Sequence, residues 1–254
     1  MFFQSLFESN LNNKFFFQEI LYYPEIASTS DLVWQLNDDK SKFLNNLLVF
    51  TDNQTNGRGR GSNKWFSFPG KSITCSFLID SFLEDDQFNL HALLVPLLIV
   101  KAIKKIALIN VQIKWPNDIV YDGKKLGGVL IETRGINKKL NIGVGLNVNE
   151  LKQDFPIELY SKATSIREIT GYPIQREPLL AIFFNELEMT IKKFDRDTII
   201  KDWMNHCAHI DKKVSFNYNG KQIVGNFKSV NKFGQAIINY NNQLIKYDGF
   251  IKIL

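Results

Sequence analysis

Between Val111 and Asn149 the sequence is interrupted too often for helices and too regularly for a loop. Val111-Gln112-Ile113-Lys114-Trp115 alternates like a strand and stops at Pro116, which disfavours helix before it and lacks a donor. Asp118 to Tyr121, the turn Asp122-Gly123 and Lys125 to Glu132 predict a hairpin, and Gly127-Gly128 marks close approach of a ligand or another backbone. A second hairpin turns near Gly135 to Lys139 and continues through Leu140 to Asn149. Successive antiparallel strands with helices elsewhere in the chain predict an α+β fold.

The flanking segments supply those helices. Ile20 to Tyr23 reads as a short strand, and Ser28-Thr29-Ser30-Asp31 before LVWQL as a helix start whose hydroxyls satisfy orphan amides. Leu47 to Phe50 and Ser72 to Ile79 read as buried strands, the second carrying Cys75 as a core thiol. From about Asn89 to Leu108 apolar residues recur at helical spacing; Pro96 is expected to start or kink this helix and His91 to lie on its surface. Pro178 to Phe194 is a second amphipathic helix. From Lys212 onward the pattern changes to short strands with an Asn219-Gly220 turn, a small all-β barrel of roughly forty residues that needs the main domain to pack on. The expected division is therefore 1–210 and 211–254.

Thr55 to Trp65, TNGRGRGSNKW, has the composition of an anion-binding loop. Gly57, Gly59 and Gly61 permit positive φ and close backbone approach, Arg58 and Arg60 supply charged forks, and Trp65 offers a flat face to a heterocycle. No Gly-Lys-Ser/Thr closes a phosphate-cradling loop, and no helix follows as in a dinucleotide fingerprint. The net charge of +5 on 254 residues does not diagnose nucleic acid. Two distant cysteines give no disulfide framework, and His206, Cys207 and His209 lack a fourth partner for a tetrahedral metal, so that cluster reads as structural. A reducing cytoplasm fits, and the longest apolar run, Ala92 to Val100, is far short of a membrane span.

QTNGRGRGSNKW, KWPNDI, KLGGVLIE and GVGLNVN, in that order, resemble the biotin protein ligases, as do STSD upstream and the closing GQAIIN…YDGFIKIL. The resemblance covers nearly the whole chain. It implies a mixed, largely antiparallel sheet with flanking helices, the class II synthetase-like biotin/lipoate ligase fold, followed by an SH3-like C-terminal barrel. Too few residues precede STSD for the winged helix that makes some members repressors, so a ligase without a DNA-binding domain is expected. The implied activity converts biotin and Mg-ATP to biotinyl-5′-AMP and passes the biotinyl group to a lysine of a biotin carboxyl carrier protein domain.

By the family pattern Arg58, Arg60 and Lys125 serve the reacting carboxylate and phosphate as catalytic cations. Ser28, Thr29, Ser30, Gln54, Gly59, Gly127 and Gly128 join them around biotin; Trp65, Asn117 and Asn147 join them around ATP; Asp118 is the magnesium ligand. Gly61, Ser62 and Asn63 stand where the family often has further basic residues, and Ser30 where it has asparagine. The same-fold rival is a lipoate ligase or transferase. A basic nucleic-acid-binding module is the rival of another class, and it requires the loop arginines on an open charged face. An exposed sheet edge would suit a homodimer.

Overall fold

The computed structural model describes residues 1–13, 16–39, 46–61, 63–84, 87–134 and 139–254. The expected turn near Gly135 and the Ser62 departure fall outside these residues. The short helix α1 (Gln4–Ser9) leads into β1 (Glu19–Ile26), α2 (Thr29–Asp38), β2 (Leu47–Gln54), β3 (Ile73–Asp80) and α3 (Leu90–Ala107). The strand run follows as β4 (Gln112–Lys114), β5 (Asp118–Tyr121), β6 (Lys124–Arg134) and β7 (Lys139–Leu146). These seven strands form one sheet in the order β1-β2-β3-β7-β6-β5-β4, with β1 and β2 parallel and every other pair antiparallel.

Helices cover both faces. Val33 and Trp34 of α2 pack on Leu47, Val49 and Leu78 on one face. α3 and α5 (Arg176–Lys192) pack on the other, with Phe77, Phe183 and Phe184 in mutual ring contact. After α4 (Ile166–Thr170) and α6 (Arg196–His206), strands β8 (Lys213–Tyr218), β9 (Lys221–Val230), β10 (Ala236–Tyr240), β11 (Gln243–Tyr247) and β12 (Ile251–Ile253) form a second antiparallel sheet, ordered β11-β10-β9-β8-β12. Its Val214, Phe216 and Phe227 belong to the same apolar core as α3 and α5.

Pro96 does not start α3: the helix begins at Leu90 and continues through the proline to Ala107. Burial on nearly all sides gives its apolar residues enough packing to offset the donor that Pro96 lacks. His91 is not on the surface either; it is 1% exposed, tucked between Phe82 and Phe88. His209 is equally buried, against Phe227, and the described residues contain no cluster of three or more His, Cys, Asp or Glu able to hold a metal.

Glu150, just beyond β7, is fully buried; Ser72 Oγ donates to its Oε1, and Oε2 has no partner. Burial pushes its pKa up to about 7, outweighing the Ser72 hydrogen bond. A carboxyl whose folded pKa lies above its unfolded one contributes stability that is complete below the unfolded pKa and is lost as pH rises through the folded value. Glu150→Gln is expected to abolish a decline on the order of 2 kcal/mol between about pH 4.5 and 7. Urea melts across that range check this; parallel slopes in the two proteins would refute it.

Candidate functional site

One cavity of about 330 Å³ collects most of the residues singled out in the sequence. Ser28, Thr29, Ser30, Gln54, Arg58, Gly59, Arg60, Trp65, Asn117, Asp118, Lys125 and Gly128 line it; Gly127 and Asn147 do not. A Cβ on Gly127 would lie 2.7 Å from Gly145 O, so that glycine serves the contact between β6 and β7. Asn147 is buried, and its Nδ2 donates to Thr164 O at 2.9 Å, tying the end of β7 to the following loop.

The glycine-arginine loop is a tight hairpin. Trp65 N donates to Gly57 O at 3.0 Å and Gly59 N to Asn63 O at 2.8 Å. Positive φ is found at Gly61 (65°) and not at Gly57 or Gly59. Gly57 is required instead by crowding, since a Cβ there would come within 2.5 Å of Trp65 O. The same hairpin lays Trp65 over β7, where a Cβ on Gly145 would lie 2.4 Å from the indole.

Hydroxyls gather at one end. Thr29 heads α2, with Ser28 as its N-cap; its amide donates to Gln54 Oε1 at 2.8 Å, and its Oγ1 lies 2.7 Å from Ser76 Oγ. Thr74 Oγ1 is buried here without a partner. Thr74 and Ser76 of β3 sit opposite Gly145 and Gly143 of β7, a register that pairs hydroxyls with missing side chains and so opens room above the sheet.

Cations line the rest. Lys125 Nζ lies 2.6 Å from Asp118 Oδ1, across the β5–β6 pair, and the absent Cβ of Gly128 leaves space for both side chains. Asn117 Nδ2 donates to Val129 O, bracing the turn after Trp115 and Pro116, whose peptide bond is cis. Arg58 is engaged by carboxylates: Nη1 to Glu132 Oε1 at 3.0 Å and Nη2 to Asp31 Oδ1 at 2.7 Å. Its pKa is raised, chiefly by the Glu132 hydrogen bond. Burial alone would raise the pKa of Glu132, but hydrogen bonds from Arg58 and Ser30 and the guanidinium charge outweigh it and hold that carboxyl low. Arg60 makes no ion pair among the described residues and is exposed at the rim. Arg58 therefore lies inside a concave site, not on the open charged face that a nucleic-acid module requires.

A family model described as the Biotin/lipoate A/B protein ligase family matches residues 22–149, half of the chain, and those residues include every cavity motif from Ser28 to Gly145. The chain belongs to this family. It is 35% identical over 162 residues to the bifunctional ligase/repressor BirA of Bacillus spizizenii, covering 63% of this chain and 49% of that protein. It is 31% identical over 193 residues to the chloroplastic biotin–protein ligase 1 of Arabidopsis thaliana, covering 72% and 50%. The chain thus spans about half the length of these curated relatives. Among solved structures, the biotin protein ligase of Aquifex aeolicus in complex with biotin and ATP superposes with a TM-score of 0.79 at 26% identity, covering 94% of this chain and 99% of that one.

The sequence pattern gives Asp31, Glu132, Asn141 and Ser76 places in helix and strands but no role at the site. Glu132 lies on β6 at the same parity as Gly128 and Leu130, both on the cavity wall, but its partner Arg58 is 74 positions away in sequence. Ser30, expected at biotin, has its hydroxyl occupied; Oγ donates to Glu132 at 2.7 Å and accepts from Asn141 Nδ2 at 2.9 Å. The chemistry of Asp118 fits a magnesium ion, a hard cation that takes carboxylate oxygens and draws most of its other ligands from nucleotide and water.

Proposed function

We propose that the chain is an ATP-dependent biotin protein ligase that makes biotinyl-5′-AMP and transfers the biotinyl group to a lysine of a carrier-protein domain. One observation carries the reading: the hydroxyl end and the cationic end share a single cavity, on strands that hold them apart. The apolar strand surface with Thr29, Gln54, Thr74 and Ser76 at its end suits a polar ring that needs hydrogen bonds in a dry pocket. A dithiolane makes no use of those hydroxyls, which favours biotin over lipoate.

In the first step a carboxylate oxygen of biotin bonds to the α-phosphorus while the bond to the leaving pyrophosphate breaks. Lys125, Arg60 and Arg58 would offset the charge that two anions bring together. Arg58, braced by Glu132 and Asp31, acts from a fixed position. A magnesium ion at Asp118 would neutralise phosphate charge. Trp65 offers its uncovered face to adenine. Residues 1–210 would hold these groups and 211–254 would contribute Phe250 at the cavity mouth. The test is formation of biotinyl-AMP from biotin and ATP with lipoate as control; adenylation of lipoate alone would overturn the biotin assignment.

Arg60→Gly is expected to retain adenylation but to release the intermediate, because the rim guanidinium has no ion-pair partner among the described residues and its role begins when an anion arrives. Loss of one charge-assisted fork weakens retention by roughly 1.5–3 kcal/mol. Labelling of bystander proteins beside the rate of ATP consumption reads this out. A variant that stays faithful to the carrier would show that the loop is not the gate.

A further inference from the structure

A row of directly opposed residues crosses the sheet beneath the cavity: Thr74 on β3, Gly145 on β7, Gly128 on β6 and Asp118 on β5. Opposed residues share a face, and all four line the cavity. The next row on that face, Ser76, Gly143 and Leu130, carries the hydroxyl that lies 2.7 Å from Thr29 Oγ1. Thr74 is thus the hydroxyl at which the ring end meets the cations. Towards the other side of its own row, Lys125 Nζ stands 3.3 Å from the position a Cβ on Gly128 would take, paired with Asp118.

Two buried polar atoms at this row have no hydrogen-bond partner among the described residues: Thr74 Oγ1, on a residue 2% exposed, and Trp65 Nε1. The indole lies over Gly145, with Cε2, the carbon bonded to Nε1, 2.4 Å from the position of a Cβ there, and Thr74 is the ladder partner of that glycine. Both atoms therefore flank one gap, and buried donors are costly to leave unpaired. An indole N–H only donates and a hydroxyl can donate, so the group that satisfies both is an oxygen acceptor. From Thr74 to Gly128 is two strand spacings, about 10 Å. A carboxyl group with a hydrogen bond at each oxygen spans roughly 8 Å. The gap over the glycines thus takes one carboxyl, with an oxygen towards the Lys125 ammonium and its twin towards the neutral pair.

We propose that Thr74 Oγ1 and Trp65 Nε1 form a neutral two-donor site for the acyl oxygen of the substrate, a catalytic role in group transfer. The inference rests on the ligase reading above. During adenylation the oxygen near Lys125 bonds to the α-phosphorus and its twin stays with the neutral pair as the acyl carbonyl. Trp65 keeps its face for adenine, since Nε1 lies at the edge of the ring. When the carrier's amine, having given one ammonium proton to water, bonds to the acyl carbon, the carbonyl electron pair moves onto that oxygen. The two donors stabilise the resulting oxyanion. The pair then returns to re-form the carbonyl, the bond to the phosphate oxygen breaks, AMP leaves with its electrons, and the second nitrogen proton passes to water.

The test uses the full chain with Thr74→Val, which removes the hydroxyl at nearly constant volume and leaves no described protein group unpaired. Single-turnover transfer from preformed biotinyl-AMP is expected to slow roughly tenfold or more, and by the same factor whether the acceptor is a biotin carboxyl carrier domain or hydroxylamine, since both pass through the oxyanion. Thr74→Ser keeps the hydroxyl and should transfer within about twofold of the wild-type rate. By calorimetry, Thr74→Val should bind biotin severalfold more weakly, yet bind an analogue with methyl in place of the carboxyl within about twofold of wild type. Unchanged transfer by Thr74→Val would overturn the assignment. So would an equal loss of affinity for the methyl analogue, which would give the hydroxyl to the ring. A wild-type chain that forms no adenylate would instead overturn the ligase reading, and this site with it.

Discussion

Lys125→Ala is expected to lower the rate of biotinyl-AMP formation about a hundredfold, the loss of roughly 3 kcal/mol of transition-state stabilisation that follows removal of one preorganised charge partner. The folded state should hardly notice. The Lys125 and Asp118 side chains are 45% and 29% exposed, and an ion pair at such a site contributes little to stability. The hydrophobic residues of β6 next to it, Leu126 and Val129, are buried in the core. What changes is the cavity charge: Asp118 remains, now uncompensated, beside the point where carboxylate and phosphate must meet. Pyrophosphate exchange at saturating biotin reads the effect directly. Near-normal exchange would remove Lys125 from the chemistry and leave it as a partner of Asp118 alone.

Local pattern made the strands and α5 readable, since alternation and helical spacing are short-range signals. The β1–β2 pairing was not readable, because a parallel pair is joined through α2 and leaves no turn between its strands. The helix α6 also escaped, since Arg196–His206 is polar on most positions and buries only Ile199 and Trp203. At the site, residues with a chemical signature at short spacing were legible: the arginine loop, Lys125 and Asp118. Those that act through register were not. Thr74 and Ser76 matter because the ladder sets them opposite Gly145 and Gly143, and Glu132 because Arg58 reaches it across 74 positions. His91 was misplaced for a related reason: helical spacing shows which face is apolar, but not that Phe82 and Phe88 close over the first turn.

Arg176→Met is expected to be strongly destabilising, costing roughly 3–5 kcal/mol, a large share of a typical domain's 5–15. Arg176 and Asp52 have side chains only 4% and 8% exposed; Nη1 is 2.9 Å from Asp52 Oδ1 and 2.8 Å from Ser72 O, and Nη2 is 3.0 Å from Met1 O. Methionine fills much of the volume but leaves the buried Asp52 carboxylate with Tyr22 as a neutral donor at 2.7 Å and, as its one remaining cation among the described residues, the largely exposed Met1 ammonium at 3.1 Å. Burial raises the Asp52 pKa; in the wild type the hydrogen bonds from Tyr22 and Arg176 and the guanidinium charge more than reverse this. A depressed carboxylate contributes stability above its unfolded pKa and loses it as pH falls through the folded value. Without the guanidinium less opposes the desolvation of Asp52, the carboxyl takes up a proton more readily, and the deficit of the variant should shrink as pH falls towards about 4. The melting temperature at pH 7 should drop on the order of 10 °C, with a smaller drop in acid. Asp52→Asn added to Arg176→Met should restore much of the loss, since the pair together is far less costly to replace than one partner alone. Asp52 stands two positions before Gln54 on β2, so the loosened strand end should also weaken biotin binding, even though neither residue of the pair lines the cavity. An unchanged melting temperature at pH 7 would show that Asp52 finds another partner, and that this ion pair does not hold β2 against α5.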